Sequence, residues 1–348
     1  MSSKTSRDPY EPWLQKSSGW WCKKVGGKLE YLAKDYKAAK HKLSQLVHAA
    51  QANSLTRDWL EAPFSNLADE YLEDVNARRA PATYSGYRYQ LVRAMKILGV
   101  SIRVRELKRI HLAKIEQQMT GKFSPATIRD TIAVVQQVFN WAVRNDLLEK
   151  NPLVGYQKPV SLGRSRIMTD DEFQALLDAA DLSFQRFLLA LRLTGCRPGE
   201  VRNLTWDMVD LNDGLWILRK HKTVTMQRTP APRIIPMPEK LEILCRELAK
   251  AAHKPSDHVF VNQHGKPYSK DCVVRKMARL RTKAGIKKKA GENIICYTNR
   301  HTYATNAIGR VSDTELAELM GHTSTETLRR YLHLDATRLR EIQKRAQG

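Results

Sequence analysis

The sequence predicts a multidomain protein that is mainly α-helical and carries small β-sheets. Aromatic and β-branched runs near the start predict a hairpin, a long central stretch has helical spacing, and short strand-like runs follow residue 197. A chain of 348 residues is long enough for two or three domains with sizeable cores. We divide it into a small β-rich module at residues 1–57, a helical domain at 63–153 and a mixed α/β domain at 165–348.

The β-rich module begins with two runs, residues 20–25 and 28–32, on either side of a glycine pair. This pattern predicts a β-hairpin, and Asp35 is placed to cap a helix that reaches Val47. The module is either a stabilising appendage or a small DNA-binding arm. Its local lysines favour the arm: Lys23, Lys24 and Lys28.

The helical domain contains four apolar stripes at helical spacing, joined by short links, which predicts a four-helix module. We expect Ser65 to cap the first helix, and Ser124, which a proline follows, to cap the fourth. The third helix is expected to face the core with four residues: Leu107, Ile110, Ile115 and Met119.

Residues 153–168 contain three glycines or prolines and predict a linker between domains. Arg164 and Arg166 in this segment are candidates for following a phosphate backbone, although an ordinary solvated linker looks the same in sequence. The next helix has a clear start, because Thr169 and Glu172 have the spacing of a capping box.

Beyond Arg197 the chain alternates short strands with helices. The apolar runs at residues 215–218 and 234–237 predict strands, and residues 259–261 are a third candidate. A basic stretch that includes Lys220 and Lys222 lies between the first two. Further helices are expected at residues 272–284, 302–308, 314–320 and 336–345.

The charge of the chain points to a polyanionic partner. There are 59 Lys and Arg against 36 Asp and Glu, a net charge of +23, which favours nucleic acid over a membrane surface or a merely solvated basic face. Five scattered cysteines, none in CxxC spacing, argue against a disulfide framework and a zinc site. We expect no metal, no cofactor, no membrane span and a cytoplasmic, nucleoid-associated protein.

Four residues in separate segments suit an attack on a phosphodiester. Arg197 and Arg300 offer planar, permanently charged forks for phosphate oxygens. His322 can hydrogen-bond the phosphate or exchange a proton, and Tyr331, nine residues later, offers a phenol nucleophile. A phenol has a pKa of about 10, so it attacks readily only where positive charge stabilises the phenolate and the transition state. Together these residues predict covalent cleavage of DNA without a metal.

These segments, in this order, resemble the tyrosine recombinase, or phage integrase, family over roughly residues 63–348. The resemblance implies a helical core-binding domain of SAM-like fold followed by a tyrosine-recombinase catalytic domain. The module at residues 1–57 is similar in position to the arm-site-binding domain of some integrases. The resemblance also implies that Arg197, Arg300 and His322 bind the scissile phosphate. Tyr331 would then form a 3′-phosphotyrosyl link, with Glu200 as a supporting residue.

Proton transfer at the site is less sharply defined by the sequence. The resemblance implies a lysine that protonates the leaving 5′-oxygen, and Lys222 has its place, but Lys220 lies two residues away and could point to the same side of a strand. Tyr297 stands where the family usually has His or Lys. Because a phenol is a poor general base near neutral pH, His301 or water is a candidate substitute.

The expected function is site-specific recombination of duplex DNA. By resemblance, the protein acts as a homo-tetramer on attachment or crossover sites, with accessory DNA-bending or directionality proteins as further partners. One alternative is a sequence-specific DNA-binding protein of the same fold with a decayed active site. The other is a type IB topoisomerase-like nicking-closing enzyme, which has a similar site but relaxes supercoils as a monomer.

Overall fold

The chain folds into two compact units, Met1–Leu162 and Gly163–Gly348. The computed structural model describes residues 12–15, 18–25, 28–56, 58–161, 164–219, 232–251, 254–289, 292–322 and 328. The finer division into domains at residues 1–57, 63–153 and 165–348 stays a prediction.

The first unit begins with a three-stranded antiparallel sheet whose strands follow chain order. Its elements are β1 (Trp13–Gln15), β2 (Trp20–Val25), β3 (Lys28–Ala33) and the following helix α1 (Tyr36–Thr56). Leu32 of β3 packs with Ala39 and Leu43 of α1 in a small core of its own. The Asp35 carboxylate accepts the backbone N–H of Ala38 at 2.8 Å, as expected of a cap. The predicted hairpin is therefore confirmed, and β1 is an additional strand.

Four further helices of the first unit share one hydrophobic core. They are α2 (Phe64–Arg78), α3 (Pro81–Leu98), α4 (Arg109–Met119) and α5 (Pro125–Arg144). Helix α5 buries Ile132 and Phe139, and the Phe139 ring stacks on Phe64 with 5.7 Å between centroids. The Ser124 hydroxyl accepts the backbone N–H of Thr127 at 3.3 Å, so the predicted cap of the fourth helix is confirmed.

The predicted cap of the first of these helices is wrong. Pro63 occupies the N-cap position of α2, and Ser65 lies inside the first turn. The Ser65 hydroxyl donates to the backbone carbonyl of Val100 at 3.2 Å instead. Its polar group is thus satisfied by a distant segment of chain, which no local pattern reveals.

The inward face predicted for the third helix is also partly wrong. Helix α4 begins at Arg109, so the buried Leu107 precedes it rather than belonging to it. Counting from Leu107 therefore puts the periodicity in the wrong register. Ile110 is 70% exposed, and Leu112 takes the buried position.

The second unit alternates helices with short strands. Its elements in chain order are α6 (Asp170–Ala179), α7 (Leu182–Thr194), α8 (Pro198–Arg202), β4 (Val209–Asp210), β5 (Leu215–Leu218), β6 (Arg233–Pro236), α9 (Glu239–Ala249), α10 (Lys270–Lys283), α11 (Cys296–Ala307) and α12 (Asp313–Met320). Strands β4, β5 and β6 form an antiparallel sheet in chain order, with Trp216 opposite Ile235. The Thr169–Glu172 capping box of α6 is confirmed.

Residues 259–261 do not form the third strand that the sequence predicts. Only single bridges occur here, between Thr205 and His258 and between Val261 and Pro267. Val259 and Phe260 are buried in the core instead, so their apolar character reflects packing rather than a ladder. The expected last helix, at residues 336–345, lies outside the described residues.

The core of the second unit surrounds α7. Phe184 and Phe187 of this helix pack their rings against each other and against Tyr268, while Trp216 packs on Phe260. Helix α11 packs directly on α7, and a smaller cluster joins α11 to α12. This packing brings the end of α7, the first half of α11 and the end of α12 together. No helix in the described ranges is long and apolar enough to cross a membrane.

Candidate active site

A tight turn between α7 and α8 positions Arg197. Gly195 ends α7 in the left-handed conformation, with φ of 61°, and a Cβ there would lie 2.5 Å from the ring of Tyr303. Glycine is therefore required twice over, by the backbone and by the ring. Arg197 takes extended backbone at the N-cap of α8, and Pro198 fills the first helical position. The Glu200 carboxylate then accepts the backbone N–H of Arg197 at 2.8 Å.

The guanidinium of Arg197 is held on two sides. Its Nη1 donates to Glu200 Oε1 at 2.9 Å, and its Nη2 donates to the backbone carbonyl of Gly321 at 3.1 Å. The side chain is 15% exposed, so it is neither sealed in the core nor solvated like a surface arginine. Two fixed acceptors hold the planar fork in one orientation.

The guanidinium of Arg300 lies deeper. The residue is completely buried in α11, where its Nη1 donates to the Gly195 carbonyl at 2.9 Å and its Nη2 donates to the Met320 carbonyl. The same Nη2 lies 2.9 Å from Nε2 of His322. Because arginine only donates hydrogen bonds, Nε2 of His322 is the acceptor in this contact.

His322 is placed by the end of α12. Gly321 follows that helix in the left-handed conformation, with φ of 61°, and the backbone N–H of His322 donates to the Ala317 carbonyl at 2.8 Å. This is the cap that commonly ends a helix at a glycine. A Cβ on Gly321 would collide with the side chain of Arg233, whose Cδ would be 2.6 Å away. Backbone capping thus fixes the position of the His322 backbone, from which the imidazole extends.

A third arginine, which the sequence analysis did not single out, completes the cluster. Arg233 of β6 is 6% exposed, forms an ion pair with Glu200 through Nη1, and donates from Nη2 to the Leu319 carbonyl at 2.7 Å. Burial alternates along β6: Arg233 and Ile235 are buried, whereas Ile234 and Pro236 are exposed. A single sequence does not show that an arginine occupies a buried strand position.

The charge on Glu200 follows from this arrangement. Burial acts to raise the pKa of its carboxyl group, but the guanidinium groups of Arg233 and Arg197, with hydrogen bonds from Arg197, lower it below its usual value. The carboxylate is therefore ionised at neutral pH. One carboxylate between two arginines leaves the cluster with a net positive charge, which is what binding a phosphate requires.

Tyr297 and His301 form a pair at the start of α11. Their rings meet edge to face with 5.3 Å between centroids, and His301 is 7% exposed. Helix α11 begins at Cys296 rather than near Thr302, so Tyr297 lies in its first turn. The phenol at this position therefore takes part in packing, and its role in proton transfer stays a prediction.

The nucleophile and the lysine candidates cannot be placed in this cluster. Tyr331, Lys222 and Lys220 lie outside the described residues. Of the predicted residues that are described, the structure brings Arg197, Arg300, His322 and Glu200 together.

The predicted DNA-binding residues have varied surroundings. Lys23 lies on β2, half-buried and opposite Glu30; Lys24 and Lys28 lie on β2 and β3, but their side chains are outside the description. Arg164 is exposed and open to a ligand. Arg166 is not: its guanidinium is 7% exposed and ion-paired to Glu172. This burial favours a structural role for Arg166 rather than contact with a phosphate backbone.

Comparison with known proteins relates the chain to a family. Residues 166–338 match the model of the phage integrase family. A tyrosine recombinase XerC of Pseudomonas fluorescens is 25% identical over 297 residues, covering 79% of this chain and 93% of that protein. A tyrosine recombinase XerD of Halalkalibacterium halodurans is 27% identical over 230 residues, covering 62% of this chain and 73% of its own. The chain belongs to the phage integrase family of tyrosine recombinases.

Solved structures show the same fold. The lambda integrase, seen as a dimer bound to a COC′ core site, superposes with a TM-score of 0.64 at 17% identity, covering 95% of this chain and 96% of that one. The Tn1549 transposon integrase in complex with transposon right end DNA gives a TM-score of 0.66 at 17% identity, covering 82% of this chain and all of that chain. The first match extends over nearly the whole length of both chains.

Proposed function

We propose that this chain is a site-specific DNA recombinase that cuts and rejoins duplex DNA through a 3′-phosphotyrosyl intermediate. The observation that carries this proposal is the convergence of Arg197, Arg300 and His322 from three separate segments on one helix end. The positive charge of the cluster, the +23 charge of the chain and its membership of the tyrosine recombinases support the same reading.

In this mechanism the two arginines clamp the non-bridging oxygens of the scissile phosphate. Their charge stabilises the transition state, because phosphoryl transfer depends chiefly on positioning and charge compensation. The imidazole of His322 hydrogen-bonds a phosphate oxygen once the phosphate competes with it for Arg300.

The covalent step joins the phenolic oxygen of Tyr331 to phosphorus and breaks the bond from phosphorus to the 5′-oxygen. The phenol gives up its proton to water or to His301, and Lys222 or Lys220 protonates the leaving 5′-oxygen. Attack of that 5′-hydroxyl on the phosphotyrosyl link reverses both bond changes. Because the broken bond is stored as an ester, rejoining needs no ATP.

The partner is double-stranded DNA at attachment or crossover sites, on which we propose a homo-tetramer. Solved relatives include a lambda integrase dimer on a core site and a lambda integrase tetramer on a Holliday junction, which supports assembly of several copies on DNA. Accessory DNA-bending or directionality proteins remain a proposal. We also propose that the module at residues 1–57 acts as a separate DNA-binding arm.

The first test is capture of the covalent intermediate. Tyr331→Phe removes one oxygen and is expected to abolish protein–DNA adducts on a nicked suicide substrate while DNA affinity is kept. Tyr268→Phe is the matched control, because it removes a buried core hydroxyl that has no hydrogen-bond partner among the described residues. Denaturing electrophoresis measures the adduct.

The outcomes separate the candidate functions. Undiminished adducts in Tyr331→Phe would rule out this tyrosine as the nucleophile. A wild-type protein that binds DNA but cleaves no substrate would favour the binding protein with a decayed site. The packing of Tyr297 against His301 is the structural observation that motivates this alternative. Relaxation of supercoiled DNA by a monomer, without exchange between two sites, would favour the nicking-closing enzyme.

A further inference from the structure

We propose that Arg233 is a positioning residue of the active site: it neutralises Glu200, so that this carboxylate can orient Arg197 without cancelling the charge of Arg197. The inference rests on the proposed function, since only a phosphate substrate gives the charge of Arg197 its importance. Arg233 itself does not touch the reacting atoms in this scheme.

The Glu200 carboxylate is shared between two arginines. One carboxylate oxygen pairs with Arg197, and the other pairs with Arg233 and with the backbone N–H of Arg197. The side chains of Glu200 and Arg233 are only 8% and 4% exposed, so solvent screens these charges weakly. Without Arg233, Arg197 would be the one cation ion-paired with this buried carboxylate in the part of the chain that the structure describes. The pair would then present no net positive charge to an incoming phosphate.

Arg233 and Arg197 also both bind the end of α12. Nη2 of Arg233 donates to the carbonyl of Leu319 at 2.7 Å, and the carbonyl of Gly321, two residues on, accepts from Arg197 at 3.1 Å. Arg197, Glu200, Arg233 and the end of α12 therefore form a closed ring of polar contacts. Arg233 holds the helix end that receives the second hydrogen bond of Arg197. It thus fixes both partners of the Arg197 fork.

A second buried ion pair in the same unit gives a matched comparison. Glu172 also accepts a backbone N–H as the third residue of a capping box, here from Thr169, and also pairs with a buried arginine, Arg166. Glu172 lies outside this ring of polar contacts, since its own ion pairs are with Arg166 and Lys289. Changing it tests the general cost of losing such a carboxylate, separately from any effect on the phosphate site.

The experiment measures single-turnover adduct formation on a nicked suicide substrate, together with DNA affinity and thermal unfolding. The proteins are wild type, Arg233→Met, Arg233→Lys, Arg233→Met with Glu200→Gln, and the control Glu172→Gln. Each is assayed on an ordinary phosphodiester and on a neutral methylphosphonate at the scissile position. Because the methylphosphonate lacks one anionic oxygen, its cleavage depends less on the charge of Arg197.

Arg233→Met is expected to slow phosphodiester cleavage by about tenfold or more, or ~1.4 kcal/mol of barrier, with DNA affinity unchanged. Adding Glu200→Gln removes the surplus carboxylate and is expected to restore most of the rate. The deficit should also shrink on the methylphosphonate. Arg233→Lys keeps the charge and should stay within about tenfold of wild type. Glu172→Gln should lower the unfolding temperature without these rate effects.

Several results would contradict the role proposed for Arg233. If Arg233→Met cleaves like wild type, or if the double variant is no faster than Arg233→Met, the charge role is wrong. An equal deficit on both substrates would reduce Arg233 to a structural residue. If Arg233→Met does not fold, the decision falls to Arg233→Lys, whose loss of more than about tenfold in rate when folded contradicts the inference. A wild type that forms no adduct would instead overturn the proposed function.

Discussion

At the scale of single residues, two glycines decide how the cluster is built. Gly195 and Gly321 both take the left-handed conformation, and each leaves room for a side chain that a Cβ would strike: the Tyr303 ring and Arg233. The carbonyl of each glycine also accepts from an arginine, Arg300 and Arg197 respectively. The missing side chains therefore bring backbone acceptors and guanidinium groups into contact.

Gly321→Ala is expected to destabilise the second unit and slow cleavage. The left-handed backbone alone costs roughly 1–2 kcal/mol for a residue with a Cβ, and the new methyl group also displaces Arg233. Thermal unfolding and single-turnover cleavage measure the two effects.

Gly265→Ala is the matched control for this change. Gly265 has φ of 69° but nothing within 4 Å of its added Cβ, so it reports backbone strain without a collision. Gly321→Ala should be the more destabilising of the two, and only it should impair cleavage. Equal losses of stability, with normal cleavage in both, would show that the contact with Arg233 has no consequence.

At the scale of helices and strands, the sequence predicts best where the signal is local. The Thr169–Glu172 box and the Ser124 cap depend on spacings of three residues, and both occur as expected. Ile110 was misplaced because the buried Leu107 belongs to the preceding segment. Such errors arise where apolar residues of two elements share one core, so that periodicity continues across a helix boundary.

Helix α11 shows a second limit of local patterns. It begins at Cys296 and buries polar residues in its interior: Thr298, Asn299, Arg300, His301 and Thr302. No apolar stripe marks such a helix, so the sequence predicted only its end. The buried Thr302 hydroxyl accepts the backbone N–H of Met168 at 2.9 Å, a contact across 134 positions of sequence. Tertiary hydrogen bonds of this kind, like those of Arg233, leave no trace in local spacing.

Ser124→Ala tests the best local prediction. Loss of the hydroxyl leaves the N-terminal N–H of Thr127 without its acceptor and is expected to cost about 1 kcal/mol of unfolding free energy. Denaturant unfolding measures it. Ser124→Asn keeps a side-chain acceptor and should fall within a few tenths of a kcal/mol of wild type. A Ser124→Ala protein as stable as Ser124→Asn would show that α5 is held by core packing alone.

At the scale of the whole molecule, the internal ion pairs do not reduce the excess of basic over acidic residues. Several arginines are committed inside the second unit, among them Arg166, Arg192 and Arg233. Each of these uses a carboxylate as well, so the pairing leaves the net charge of +23 unchanged. The composition alone predicted a polyanionic partner, whereas only the structure separates buried arginines from exposed ones such as Arg164.

DNA affinity should therefore fall steeply with salt. If about ten phosphates are contacted, log K against log[salt] should have a slope near −9. Fluorescence anisotropy with a duplex that carries the crossover site, at several salt concentrations, measures it. A slope shallower than about −3 would contradict an extended interface with the duplex.

The position of Cys196 gives the active site its own reporter. This cysteine lies between Gly195 and Arg197, is completely buried, and burial raises the pKa of its thiol to about 11. The thiol is therefore almost wholly protonated at pH 7, and no alkylating reagent reaches it while the turn is closed. Each alkylation of Cys196 thus records one excursion in which the Arg197 turn has come apart. The frequency of those excursions, with and without DNA, gives the free energy that holds the turn between α7 and α8 shut.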